Sequence, residues 1–173
     1  MHYKVSVIVP IYNVRDYLAR CVENLMNQTL REVEYIFVED CATDDSYQIL
    51  MDTLARFPHR RGDVRVIRHE VNKGLTMSRA DGLDVAAGDF IIHSDSDDWT
   101  DVTMFEKMYD KAVSDGAEIC ICDFFHVRKD GLKRENVTLD CRKPHKEFMR
   151  DYLSYLWNTV WCALVAREVY ERS

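Results

Sequence analysis

The chain holds 173 residues, 47% apolar and 31% charged, a balance that excludes wholesale disorder and suits one packed domain. Its 30 acids against 23 bases give a net charge of −7, the wrong sign for a protein that tracks nucleic-acid phosphates. The acidic excess lies in residues 1–119, with 22 acids against 13 bases. Lys4–Pro10 (KVSVIVP) is a β-branched run ended by proline and predicts a buried strand. Val14–Gln28 follows with Tyr17, Leu18, Cys21, Val22 and Leu25 on one helical face, Asn13 at the N-cap and Asp16 at the third helical position. Val33–Asp40 is the second strand, Asp45–Phe57 a helix stopped by Pro58, and Val64–Arg68 a short third strand. Leu75–Ala87 is a helix closed by Gly88, and Asp89–His93 the fourth strand. Asp101–Ser114 is another helix, followed by the strand Ala117–Cys122. Beyond residue 123 the periodicity weakens. Phe124–Arg134 suggests a strand and turn around Asp130-Gly131, Lys146–Leu156 a helix, and Thr159–Val165 an apolar strand or short helix.

Strand–helix–strand repeats without hairpin signals predict an α/β fold in three layers, with a mostly parallel sheet, right-handed crossovers and helices on both faces. No repeat, low-complexity tract or linker divides the chain, so a single domain is expected. The longest near-continuous apolar run, Val5 to Tyr12, is far short of the roughly 20 residues that span a bilayer. No charged-then-apolar leader opens the sequence, and a cytoplasmic location is expected. Cys21, Cys41, Cys120, Cys122, Cys141 and Cys162 therefore read as buried thiols and not as a disulfide frame. Cys120 and Cys122 are too close for a zinc knuckle and share one side of a strand.

In open parallel sheets ligands bind outside the carboxyl ends of the strands. Four polar clusters stand at those ends: Tyr12-Asn13, Glu39-Asp40, Asn72-Lys73-Gly74 and Asp95-Ser96-Asp97-Asp98. Neighbouring strands lie about 4.8 Å apart, so the fold gathers all four on one rim. The opposite rim (Arg31-Glu32, Gly62-Asp63, Gly88-Asp89) reads as ordinary connections. Asp95, Asp97 and Asp98 repel one another within one short turn unless something neutralises them. A hard divalent cation does so, taking one or two carboxylates and completing its shell with waters and substrate phosphates. Asp95 and Asp97, two apart at a strand end, lean the same way. The competing reading is a solvated acidic turn ahead of the next helix, whose N-terminus Asp101 already serves. A calcium EF-hand fits poorly, because Trp99 and Thr100 stand where a ligand and a glycine are needed.

In order and spacing, VSVIVPIYN (5–13), YIFVEDCATDDS (35–46), NKGLTMSRADG (72–82) and GDFIIHSDSDDW (88–99) resemble the inverting glycosyltransferases of family 2. The resemblance covers nearly the whole chain, strongly to Trp99 and loosely to Leu164. It implies the GT-A fold, a Rossmann-related sheet, with residues 1–99 as the nucleotide-sugar-binding half and 100–173 as the start of the acceptor side. It implies a hexosyltransferase-type activity in which Pro10, Tyr12 and Asn13 line the nucleotide pocket. Asp40 would accept the imide N–H of uracil, favouring a UDP-sugar donor. Arg79 would approach the base and diphosphate, with Lys73 and Gly74 in the loop beneath. Asp95 and Ser96 would hold the ribose or sugar. Asp97, with Asp95, would ligate the Mn²⁺ or Mg²⁺ that bridges the diphosphate, where negative charge grows on the leaving group. The implied acceptor is a growing glycan or lipid-linked saccharide, met at the cytoplasmic face of the membrane through peripheral association.

Plainer readings stand beside these. Tyr12 can pack against the first helix, Asn13 can be only an N-cap, Arg79 can pair with Asp81 or Asp84, and Lys73-Gly74 can be only a turn. The sequence also departs from the family pattern. Glu39 replaces the first of two aspartates, Cys41-Ala42 replace Gly-Ser, and His93-Ser94 replace an apolar pair. Losing the glycine restricts the turn after the second strand. Inverting transfer needs a general base, which the resemblance places in an acidic pair at the start of a later helix. Residues 161–168 resemble the segment just before it, and Glu168 and Glu171 fall too early. The base is therefore expected beyond Ser173 and the domain is expected to be truncated.

A sugar nucleotidyltransferase would show a Gly-rich basic loop after the first strand, and PIYNVRDY has none. A phospho-acceptor receiver would need its acidic pair there. A non-catalytic nucleotide-sugar-binding module stays open. Arg56, Arg60, Arg61, Arg65 and Arg68, and Arg142, Lys143, Lys146 and Arg150, read as solvated faces or as contacts for an anionic acceptor or lipid headgroups. Trp157 and Trp161 either flank a sugar or pack inside.

Overall fold

The computed structural model describes residues 2–128, 131–135, 143–144, 146–147, 150 and 160–172. Strands β1 (Val5–Ile11) and β2 (Val33–Glu39) are buried along their whole length. A strand covered on both faces needs no polar alternation, which is why β1 reads as a continuous apolar run. With β3 (Val64–Arg68) and β4 (Phe90–His93) they form a parallel sheet in the order β3-β2-β1-β4. β5 (Ile119–Ile121) forms the far edge, and β8 (Ala163–Ala166) lies antiparallel between β4 and β5. β6 (Phe124–Arg128) and β7 (Gly131–Glu135) pair as a separate antiparallel hairpin.

Helices on both faces complete the layers: α1 (Arg15–Met26), α2 (Ser46–Leu54), α3 (Leu75–Leu83), α4 (Met104–Asp115) and α5 (Arg167–Glu171). The odd-numbered residues of β1 (Val5, Val7, Val9, Ile11) face Leu18, Val22 and Leu25 of α1, Leu50 of α2 and Phe105 of α4. Ile8 faces the other way and, with Ile36, Val38 and Ile91, meets Leu83 and Tyr170 of α3 and α5. Each fully buried aliphatic side chain contributes about 1.5–3 kcal/mol, so these two faces hold the sheet between its helices. α3 rides so close that a Cβ on Gly82 would lie 2.5 Å from Ile8 Cγ2.

Three expectations change. Asn13 is not the cap of α1: the helix begins at Arg15, and its first free N–H groups are served from another loop. Val14 N–H donates to Ser46 Oγ at 2.9 Å, and Arg15 N–H to Asp44 Oδ2 at 3.2 Å. α3 ends at Leu83, four residues before Ala87. Arg60 belongs to no solvated face. It is 2% exposed and its guanidinium clamps the carbonyls of Gln28, Leu30 and Arg31 at 2.9–3.1 Å.

Other expectations are met or fall elsewhere. Within Phe124–Arg134 the strands β6 and β7 pair, and within Thr159–Val165 the 3-10 turn Val160–Cys162 leads into β8. Trp161 packs edge-on against Phe124 at 4.8 Å, both residues half-buried. Trp157, Cys141, Arg142 and most of Lys146–Leu156 lie outside the described residues. Cys21 and Cys162 are buried, whereas Cys41, Cys120 and Cys122 are only half-buried, and none of these five is in a disulfide. Among the described residues no helix is long and apolar enough to cross a membrane.

Candidate functional site

From β1 the chain steps outward through β2 to β3, then returns across β1 to β4. Connections leaving the carboxyl ends of β1 and β4 therefore run apart, and a crevice opens between them. A cleft of about 340 Å³ occupies it, within the range of small-molecule sites. Pro10, Ile11, Tyr12 and Val14 line it from the end of β1, and Asp40 from the end of β2. Asn72 and Gly74 come from the loop into α3, Leu75 and Ser78 from its first turn, and Asp95, Ser96 and Asp97 from the turn after β4. Residues spread over 88 positions of sequence thus share one wall-to-wall space.

Asp40 is the most firmly held of them. Its Oδ1 accepts His69 Nδ1–H and the backbone N–H of Lys73, both at 2.7 Å, and Oδ2 accepts the backbone N–H of Gly74 at 2.8 Å. Burial pushes the carboxyl up, but these donors outweigh it and hold its pKa below the ordinary aspartate value. Gly74 supplies its N–H at φ +84, a left-handed backbone that only glycine adopts without strain. Its carbonyl then starts α3 by accepting Ser78 N–H and Oγ–H.

The turn after β2 keeps the shape that a glycine usually provides. Cys41 sits at φ 57, at a cost of about 1–2 kcal/mol. Glu39, buried at 1% exposure, braces it by accepting Ala42 N–H at 2.5 Å and Arg68 Nε–H at 3.0 Å. Asn13, also left-handed at φ 51, accepts Thr43 N–H at 2.8 Å and so ties the β1 turn to the β2 turn. Tyr12 is 46% exposed and lines the cleft.

On the far wall, Arg79 reaches across to Asp95 Oδ1 at 2.7 Å, and not to Asp81 or Asp84. Its Nε is buried with no partner among the described residues. Lys73 turns away from the cleft to Asp81, 2.8 Å distant. His93, beneath the turn, stays neutral because burial, and then the Arg79 charge, push its pKa down to about 4. Asp97 is exposed and makes no hydrogen bond or ion pair among the described residues. The Asp98 carboxyl is pushed up by desolvation and then by the charges of Asp97 and Asp95, against Arg20, which lowers it. Arg20 itself stacks on Trp99 at 3.7 Å. Among the described residues no three His, Cys, Asp or Glu side chains converge as a closed metal site.

Pro10, Tyr12, Asp40, Gly74, Asp95, Ser96 and Asp97 thus line the cleft as the sequence suggested. Asn13, Lys73 and Arg79 stand one layer out and hold its walls. Ser78 and His69 were not anticipated. Ser78 looks like one more polar helix residue, and His69 sits in a charged run, Arg68-His69-Glu70, that reads as surface.

Comparison with known proteins places this geometry. The family model described as Glycosyl transferase family 2 matches residues 6–172. The uncharacterized glycosyltransferase EpsJ of Bacillus subtilis (strain 168) is 32% identical over 98% of this chain and 49% of its own length. A crystal structure of S. aureus TarS residues 1–349 in complex with UDP superposes with TM-score 0.77 at 20% identity, covering 98% of this chain and 48% of that one. The mannosyltransferase PcManGT from Pyrobaculum calidifontis, in complex with GDP-Man and Mn²⁺, gives 0.65 at 17% identity, over 99% and 47%. The chain spans about half the length, or less, of the curated relatives it matches.

Proposed function

The chain belongs to glycosyltransferase family 2, and from that premise we propose that it binds a UDP-sugar and passes a hexosyl group, with inversion, to a hydroxyl of a glycan or lipid-linked saccharide. The observation that carries this reading is the convergence of Pro10, Tyr12, Asp40, Gly74, Asp95, Ser96 and Asp97 on one cleft at the switch point of the sheet. The exposed ring of Tyr12 stacks on the base, and Asp40 accepts the imide N–H of uracil. The Lys73-Gly74 backbone fixes Asp40 from beneath. Arg79 holds Asp95 and carries positive charge towards the diphosphate, while Asp95 and Ser96 take ribose or sugar hydroxyls.

Asp97 fits a divalent cation in a particular way. Among the described residues its carboxylate is unpaired and too few ligands converge to close a site, so Asp97 and Asp95 would hold Mn²⁺ or Mg²⁺ jointly with the donor diphosphate. Such a cation, when bound, stabilises the charge that develops on the departing nucleoside diphosphate. The acceptor hydroxyl must give its proton to a base. Glu168 and Glu171 do not take that part: Glu171 pairs with Arg167 along α5, and neither lines the cleft. Action at the cytoplasmic face of a membrane, on an acceptor presented there, completes the reading. Calorimetry with UDP, GDP, dTDP and CDP, each with Mn²⁺ and with chelator, tests it. Metal-enhanced binding of UDP above the others is expected. No binding of any nucleotide would sink the donor-site reading, and a preference for GDP would remove the uracil role of Asp40.

A further inference from the structure

Behind Asp40 lies a buried histidine whose ring sits between that carboxylate and Asp81 on α3. His69 follows β3, is 6% exposed, and turns both ring nitrogens to carboxylates. Nδ1 meets Asp40 Oδ1 at 2.7 Å, and Nε2 lies 2.8 Å from Asp81 Oδ2, close but poorly aligned for a hydrogen bond. An ionised carboxylate can only accept, so Asp40 assigns a proton to Nδ1 and Asp81, by the same rule, assigns one to Nε2. Asp81 is anchored in turn by the Lys73 ammonium. The ring is therefore a strut between the end of β2 and α3.

That strut changes what Asp40 can recognise. A carboxylate offers about four acceptor positions. On Asp40, His69 and Lys73 N–H fill those of Oδ1, and Gly74 N–H fills one on Oδ2. Among the described residues one acceptor is left, on a residue that lines the cleft. A single acceptor matches a base with one ring N–H set between two carbonyls, which is the pairing edge of uracil. Guanine presents a ring N–H beside an amino group, a two-donor fork that asks for a carboxylate with an acceptor free on each oxygen.

We propose that His69 is the positioning residue that sets base selectivity: by occupying Asp40 Oδ1 and bracing against Asp81, it aims one remaining acceptor into the cleft and favours uridine over guanosine nucleotides. The inference rests on Asp40 being the base acceptor, as in the function proposed above. UDP and GDP titrated by calorimetry into the chain and into His69→Leu, His69→Asn and Asp81→Asn test it. The unaltered chain is expected to bind UDP at least about tenfold tighter than GDP. His69→Leu loses about tenfold for UDP and less than about twofold for GDP, because guanine never uses the aimed acceptor. His69→Asn, which keeps an N–H donor near the place of Nδ1, recovers much of the preference. An unchanged UDP:GDP ratio in His69→Leu, or an equal loss for both nucleotides, overturns the inference and leaves the family and the donor cleft standing. If His69→Leu does not fold, Asp81→Asn decides, since removing the brace should narrow the ratio about threefold and an unchanged ratio overturns the idea. Asp40→Asn with full UDP affinity would instead bring down the base-acceptor reading beneath it.

Discussion

Burial alone would make Asp40 easier to protonate, yet His69 and two backbone N–H groups reverse the sign and lower its pKa. The unfolded reference is about 3.9, so the native state binds this proton less readily than the unfolded chain does. The stabilisation is complete above that value and is lost as the pH falls through the lower folded pKa. Asp40→Asn removes the charge that those donors were holding. We expect it to cost about 1–3 kcal/mol at neutral pH and to flatten the acid limb of the stability curve below about pH 4. Urea denaturation at stepped pH checks both. A variant with the parent's acid limb would mean that Asp40 is not what the loop at Lys73-Gly74 leans on.

At the scale of elements, the strands and the helices differed in how openly the sequence displayed them. β1, β2 and β4 are apolar runs bounded by polar turns, and a fully buried parallel strand has no other way to look. β8 was ambiguous because ALVA is too short for periodicity to separate strand from helix, and its partners, β4 and β5, lie some 40 to 75 residues earlier. The start of α1 is hidden from the sequence for a related reason. Asn13 has the right side chain in the right place for a cap, but its backbone is left-handed and its oxygen is spent on Thr43. The work falls to Ser46, fully buried and about 30 residues away, which no local rule can see. Ser46→Ala should therefore destabilise the fold by about 1 kcal/mol, the ordinary worth of a cap, although it lies outside α1. Guanidinium titration measures it. Equal stability would show that water serves the Val14 N–H just as well.

At the scale of the molecule, the site was legible where main-chain turns make it and hidden where tertiary packing does. Tyr12, Asp40, Gly74, Asp95 and Asp97 stand at strand ends, and strand ends are readable from pattern alone. His69 and Ser78 gain their places only when β3 and α3 close on β2, and a lone polar residue carries no mark of that closure in its neighbours. The same architecture makes donor binding a whole-fold event. The cleft joins β1, β2, the α3 loop and the β4 turn, so a ligand there bridges elements that must separate when the chain unfolds. A nucleotide at 100 times its dissociation constant adds about 2.7 kcal/mol. For a domain of this size that corresponds to a rise in Tm of about 5–10 °C. UDP with Mn²⁺ at that excess should produce such a rise, and chelator should take most of it away. Asp97→Ala should behave with Mn²⁺ as the parent does with chelator, while its Tm without ligand stays within about 2 °C, since its carboxylate is exposed and holds nothing in place. Differential scanning fluorimetry separates these cases. If Asp97→Ala keeps the full metal-dependent shift, the cation is held without it, and the acidic turn is only the solvated approach to α4.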